Sequence, residues 1–277
     1  MRAEKSDKFL KFLRNKSLWV RQETLKIHKL APETRLASSL SCVEILVALY
    51  YGKIIHHNPR DTKWEARDRF IISKGHGTIS FYPILADLGY FDKKELGRVC
   101  KVGSFLGGIP DPIIPGYETM NGSLGHGLGV ACGMALALKR RNRNEKVFVL
   151  VGDGELYEGS VWEAVMFAGE HKLDNLVLII DNNKICMLDY CKNILDLEPL
   201  DEKFSVYKWL VERIDGHDVK ALHASLTSLK GDRGGRPKVL IADTIKGKGV
   251  PCLETDSLCH IKSLKAEEID LLIGKLQ

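Results

Sequence analysis

The sequence predicts an α/β protein: a parallel sheet with helices on both faces. Three observations carry that reading. Short apolar runs recur at Arg69–Ser73, Val147–Val151, Leu176–Ile180, Val211–Ile214 and Lys238–Asp243. Helix-compatible stretches separate them, and strands alternating with helices imply parallel pairing with both sheet faces covered. Glycine and polar residues follow the runs at once: Lys74-Gly75-His76-Gly77, Gly152-Asp153-Gly154, Asp181-Asn182-Asn183 and Thr244-Ile245-Lys246-Gly247-Lys248-Gly249. Those positions are the carboxyl ends of strands, where open α/β sheets bind ligands.

The helices follow from spacing. Phe9–Lys29 is amphipathic and predicted to lie on the surface of the core. Ser39–Tyr51 reads as one helix with Ile45, Leu46 and Leu49 on a face, and Ser80–Leu88 as another. Gly103–Ser123 is rich in Gly and Pro without periodicity, and an irregular stretch of that length is usually functional. Gly125–Lys139 alternates Gly129, Ala131, Gly133, Ala135 and Ala137, which suits close packing against another helix or a second subunit. Ser160–Glu170 and Val219–Leu229 complete the set. With no repeat, low-complexity tract or linker, a single domain over residues 1–277 is expected.

Bulk properties exclude several classes. Apolar residues make up 44% of 277, enough for a large core without disulfides. Seven scattered cysteines, an odd number, read as reduced thiols of a cytoplasmic protein. Met1–Ser6 is polar and charged, so no secretory signal is expected. No apolar run approaches the ~20 residues of a membrane span. Net charge is +5, with 41 basic and 36 acidic residues intermixed. That bias is compatible with an anionic ligand and lacks the clustered basic face of a nucleic-acid binder. The run Lys139–Arg143 reads as a solvated helix end.

The chemistry centres on Asp153 and Asn183, thirty positions apart at the ends of two adjacent strands. The Asp supplies a hard anionic oxygen, the Asn a neutral one, and the Ile185 carbonyl a third. Such a set suits a magnesium ion carrying a diphosphate, and the flanking Gly152 and Gly154 let backbone approach phosphate. A Gly-Asp-Gly alone is an ordinary turn; the second half at this spacing makes it a site. No Walker sequence is present, and Gly125-His126-Gly127-Leu128-Gly129 follows a loop rather than a strand, against a dinucleotide fingerprint. His76 can be read as a turn residue and His260 as a surface histidine. A zinc site from Cys252, Cys259 and His260 matches no common spacing. Glu158 can be read as complementing a helix dipole and nothing more.

Together the motifs resemble the N-terminal, thiamine diphosphate-binding portion of transketolase. The matching segments are Ser39-Leu40-Ser41, Ile72–Gly77, Gly122-Ser123-Leu124-Gly125, Gly152–Glu155 with Glu158-Gly159, Asp181–Ile185 and Lys246–Gly249, in the family's order. Pyruvate-dehydrogenase-type subunits share the metal motif but resemble the Ser-Lys-Gly-His-Gly and Lys-Gly-Lys-Gly segments less. The resemblance implies a thiamine diphosphate-binding fold and a set of roles. Asp153, Asn183 and the Ile185 carbonyl hold Mg2+. Gly152, Gly154, Glu155 and Asn183 lie along the diphosphate, with Lys246 also at the cofactor. Gly122, Ser123 and Leu124 approach the aminopyrimidine. His76 and His260 face the reacting centre. Glu158 and Glu163 match acidic positions near the family's subunit interface.

In transketolases the glutamate that activates the cofactor lies in the following domain, which this chain is too short to include. A separately encoded pyrimidine-binding partner, resembling the transketolase C-terminal half, is therefore expected, in an α2β2 assembly. The implied activity is transfer of a two-carbon ketol or acyl unit between sugars or sugar phosphates. Two departures point to an atypical substrate: Arg35 and Ile109 stand where the family usually has histidine, and His126 where glutamine is common. Alternatives are an α-type subunit of a thiamine-dependent oxo-acid or deoxyxylulose-phosphate synthase-like enzyme, or a non-catalytic cofactor-binding partner.

Overall fold

The computed structural model describes residues 2–276; Met1 and Gln277, the outer limits of the expected domain and, with Met1, the start of the expected polar opening, lie outside them. In chain order the elements are α1 (Arg2–Leu30), α2 (Leu36–Leu40), α3 (Val43–Tyr50), β1 (Arg69–Ile72), α4 (Phe81–Leu88), α5 (His126–Arg140), β2 (Val147–Gly152), α6 (Gly159–Glu170), β3 (Leu176–Asn182), α7 (Cys191–Ile194), α8 (Leu200–Val206), β4 (Leu210–Asp215), α9 (Val219–Gly231), β5 (Lys238–Asp243), α10 (Pro251–Glu254) and α11 (Ala266–Lys275). The five strands form one sheet in the order β1-β2-β3-β5-β4, and every pairing is parallel.

Strand order decides which helix covers which face. From β1 to β2, β3 and then β4 the chain moves one way across the sheet, and right-handed crossovers put α5, α6 and α8 on one side. There Leu128, Ala131, Val161, Val165 and Phe204 pack on Val147, Val149, Val151, Leu178 and Ile180. The step from β4 back to β5 reverses direction, so α9 falls on the opposite face. On that side Leu222 and Leu226 join Leu46, Leu49 and Ile84 over Phe148, Leu150, Ile179 and Leu240. All residues of β2 and β3 are buried, the pattern of strands covered on both faces.

The expected Ser39–Tyr51 helix is two helices. The break comes at Ser41 and Cys42, where the Ser41 hydroxyl lies 3.1 Å from the Ser38 carbonyl and donates to Asp181 Oδ2 at 2.6 Å. A serine that bonds locally and across the site competes with the helical ladder. Every residue of α3 is buried, including Glu44. The helices α8 and α11 add to the expected set; α11 closes the C-terminal side by burying Ile269 with Leu25 and Leu264. Gly103–Ser123 carries neither helix nor strand, as expected, and is pinned by buried Leu106 and Ile114. The Lys139–Arg143 run is locally paired, Lys139 to Asp174 at 2.8 Å and Arg143 to Glu145 at 2.8 Å.

Candidate active site

Four strand ends meet at one buried carboxylate. Asp181 is fully buried at the end of β3, in register with Gly152 of β2 and Ala242 of β5. Its Oδ2 accepts from the Ser41 hydroxyl at 2.6 Å and from the Lys74 ammonium, and its Oδ1 from the Thr244 hydroxyl. Burial pushes the Asp181 carboxyl up, but Lys74, Ser41 and Thr244 outweigh it and hold it below its ordinary value. Lys74 also donates to the Ser38 carbonyl at 2.9 Å. This hub welds α2, β1, β3 and β5 together.

Next to it stands a carboxylate without such support. Asp153 follows β2 directly and is buried. Its oxygens accept only backbone N–H groups, from Gly154 at 2.8 Å and from Lys184, and it forms no ion pair among the described residues. Burial, with Asp181 adding to it, raises its pKa to about 6. Asn183 is also buried, its Oδ1 3.2 Å from the Ile185 N–H. The Ile185 carbonyl accepts from the Lys246 ammonium at 2.6 Å, and Lys246 also reaches the Cys186 carbonyl at 3.2 Å. A carboxylate, an amide and a carbonyl oxygen are hard donors that fit magnesium, and the unpaired Asp153 is a buried anion suited to a cation. No group of three His, Cys, Asp or Glu side chains that could hold a metal occurs among the described residues, so Cys252, Cys259 and His260 do not form one. Asp153 also borders a cavity of about 590 Å³ lined by Tyr157, Tyr190, Leu195 and Arg213.

The helix α2 organises the histidines. Ser39 Oγ donates to the His76 carbonyl at 2.8 Å, and Ser38 Oγ lies 3.2 Å from His260 Nδ1. The two imidazoles meet edge to face with centroids 5.1 Å apart. Burial first, then Arg35, Lys74 and Lys246, lowers His76 to about 4. Burial and Lys246, with His76 and Arg35, lower His260 to about 3. Both rings are neutral near pH 7. His260 Nε2 is buried without a hydrogen-bond partner, an unmet group of the kind that calls for a ligand.

A family model for the transketolase thiamine diphosphate-binding domain matches residues 33–276. The chain belongs to that family. One of two subunits named as an apulose-4-phosphate transketolase component, from Actinobacillus succinogenes, is 39% identical over 241 residues, covering 87% of this chain and 86% of that one. The 6-deoxy-6-sulfo-D-fructose transketolase subunit SqwG of a Clostridium species is 37% identical over 245 residues, covering 87% and 88%. Human transketolase is 34% identical over 240 residues, covering 86% of this chain but 38% of its own. The crystal structure of Campylobacter jejuni transketolase superimposes with a TM-score of 0.87 at 28% identity, covering 95% of this chain and 43% of that one. The chain thus spans about two fifths of the transketolase chains whose structures it matches and nearly the whole of the Actinobacillus and Clostridium subunits.

Within the transketolase fold the expected residues fall into groups. Asp153, Asn183, Ile185 and Lys246 share one cluster, and His76 and His260 share another joined to it through α2. Gly154 sits where a Cβ would come within 3.2 Å of Cys186 Cβ, so its smallness is used. Gly152 is buried at the end of β2. Glu155 turns inward: its carboxylate accepts from the Ser73 hydroxyl, Gly125 N–H at 2.9 Å and Gly152 N–H at 3.4 Å. It braces the loop before α5, with burial raising its pKa. Gly122, Ser123 and Leu124 are exposed just ahead of α5. Ile109 touches that segment, since a Cβ on Gly122 would lie 3.3 Å from Ile109 Cδ1. Glu158 and Glu163 are exposed beside α6, and His126 is exposed in the first turn of α5.

Sequence motifs alone assign no role to Lys74, Asp181, Ser41 or Thr244, although three of these four lie in the quoted segments. Nor do they disclose a second buried network. Glu44 pairs with Arg21 at 2.5 Å and with His217 at 2.9 Å; Arg21 reaches the Lys248 carbonyl at 2.6 Å, and His217 accepts from the Ile245 N–H at 2.8 Å. These contacts fasten the Lys246 loop. A charged residue inside the apolar run Val43–Tyr50 is the one signal of it in the sequence.

Proposed function

We propose that this chain is the diphosphate-binding subunit of a split, thiamine diphosphate-dependent transketolase-like enzyme. It transfers a two-carbon ketol or acyl unit between sugars, with an atypical sugar or sugar phosphate as substrate. The observation that carries the reading is the buried, unpaired Asp153 carboxylate beside the Asn183 and Ile185 oxygens. Asp153, Asn183 and the Ile185 carbonyl hold Mg2+, and Lys246 leans on the same carbonyl so that its charge favours the diphosphate. Bound thiamine diphosphate supplies a nucleophilic carbon and an electron sink. The chain supplies geometry: Gly122–Leu124 offer backbone groups to the pyrimidine, and His76 and His260, neutral near pH 7, offer ring nitrogens to substrate hydroxyls.

A partner carrying the activating carboxylate completes the site, in an α2β2 assembly. Two findings support a partner. The Actinobacillus and Clostridium relatives are named as subunits, which implies a second one. The outer face of α5 and α6 exposes Val130, Met166 and Phe167 around Gly129 and Gly133, whose Cβ positions are open. Seven free cysteines support a cytoplasmic setting, and among the described residues no helix is long and apolar enough to cross a membrane.

A second reading, a catalytically idle protein that only binds cofactor, is favoured by Ile109, which can neither donate nor accept a hydrogen bond. Calorimetry with thiamine diphosphate and Mg2+, followed by an assay of donor cleavage, tests both. Weak binding alone, tight binding with the partner and cleavage by the pair are expected. Equally tight binding by the isolated chain refutes the split site, and tight binding by the pair without cleavage of any sugar donor favours the idle protein.

A further inference from the structure

Arg35 stands at the N-terminal cap of α2, half-buried, yet its guanidinium donates no hydrogen bond and forms no ion pair among the described residues. It is built into the histidine cluster through the backbone, because Ser39 Oγ lies 3.2 Å from the Arg35 carbonyl while donating to that of His76. The other two cations near this cluster are committed: Lys74 to Asp181, and Lys246 to the Ile185 and Cys186 carbonyls. Arg35 is therefore the cation left over. The charges acting on His76 and His260 come from Arg35, Lys74 and Lys246, with no carboxylate among them.

The donor inventory is lopsided. A guanidinium offers N–H groups only, in a planar fork that matches oxyanions. When Ser38 donates to His260 Nδ1, the partnerless Nε2 carries the proton and adds another donor aimed at the same ligand. Beside them, Ile109 gives hydrocarbon at the Gly122 wall. A neutral polyol needs both donors and acceptors; this cluster supplies donors and positive charge.

We propose that Arg35, His76 and His260 recognise an oxyanion on the substrate, whether carboxylate, phosphate or sulfonate, and that Arg35 sets the preference for charged over neutral substrates. The inference rests on the function proposed above, since it takes the cluster to face the transferred substrate.

The test uses the full chain saturated with thiamine diphosphate and Mg2+, so that the diphosphate cradle is filled. Inorganic phosphate and, separately, neutral erythritol are titrated by calorimetry and by the ring C–H resonances of His76 and His260. Phosphate is expected to bind and shift both rings, and erythritol to do neither. Arg35→Gln should weaken phosphate at least about tenfold, the worth of a charged hydrogen bond, with Arg35→Lys in between. Thiamine diphosphate affinity should change less than about twofold in either variant. Because the side chain has no intramolecular partner among the described residues, both variants should melt like the parent, and the charge-conserving Arg35→Lys carries the comparison if Arg35→Gln does not fold. Unchanged phosphate affinity in the variants overturns the proposal. So does a parallel loss of thiamine diphosphate affinity, which assigns the guanidinium to the cofactor. A chain that binds no thiamine diphosphate sinks the proposed function and this inference with it; cofactor binding with Arg35-independent phosphate affinity sinks this inference alone.

Discussion

Asp153→Asn separates a site built for a cation from a plain buried turn. With burial holding the folded pKa near 6 against an ordinary 3.8, the carboxyl keeps its proton more tightly folded than unfolded. Its effect is therefore absent in acid, grows as pH rises through the ordinary carboxylate range, and is complete above the folded value. The full cost is two units and a fraction, about 3 kcal/mol, of which about 1.5 kcal/mol accrues between about pH 5 and about pH 7.5. Asparagine cannot ionise, so it escapes that cost, but its amide meets the Lys184 N–H that Asp153 accepts, a loss of about 1 kcal/mol. Without metal, Asp153→Asn should be the more stable protein near pH 7.5 by about 1–2 kcal/mol. Urea unfolding at both pH values, with and without Mg2+ and thiamine diphosphate, reads this directly. The cofactor pair should stabilise the parent near pH 7.5, much less near pH 5, and the variant hardly at all. Parallel pH profiles for parent and variant, or equal stabilisation of both by the cofactor pair, would refute the reasoning.

Other outcomes follow from the same geometry. Asp181→Asn leaves the buried Lys74 ammonium uncompensated and should cost about 3–5 kcal/mol in urea unfolding, whereas Lys74→Met with Asp181→Leu should cost less than the sum of the two single changes. Gly125 has φ +85°, and a Cβ there would come within 2.6 Å of Glu158 Cβ. Gly125→Ala should therefore cost about 2 kcal/mol or more and lower thiamine diphosphate affinity, measured by thermal melting and calorimetry. His28, His76 and His260 have folded pKa values lowered to about 4, about 4 and about 3. The unfolded chain binds those protons first, so stability should fall as pH drops below about 6.5, and NMR titration should find all three rings neutral at about pH 6.

Much of the fold is legible in the sequence because its signals are local. Each strand is an apolar run that ends in Gly or a polar residue, and the register pairing Gly152 with Asp181 is what makes the split motif contiguous. The metal set and both histidines are legible for the same reason: each follows a strand or closes a motif. What is not legible is tertiary. Ser41 breaks a helix whose propensity favours continuity, because its hydroxyl is claimed 140 positions away. Arg21 reads as one face of an amphipathic helix, and only the fold turns it toward Glu44. Glu155 sits in a diphosphate motif, yet its direction is decided by Ser73 and Gly125, which no spacing rule connects to it.

The Asp181 hub also governs when the chain can become competent. Its bonds close loops of 140, 107 and 63 positions, to Ser41, Lys74 and Thr244. During synthesis Asp181 and Lys74 can meet early, but Thr244, Lys246 and His260 emerge last. A nascent chain shorter than that holds a half-neutralised pocket with no lysine over the Ile185 carbonyl. Cofactor capture thus waits for the Lys246 loop, and truncated products should remain empty and open to proteolysis.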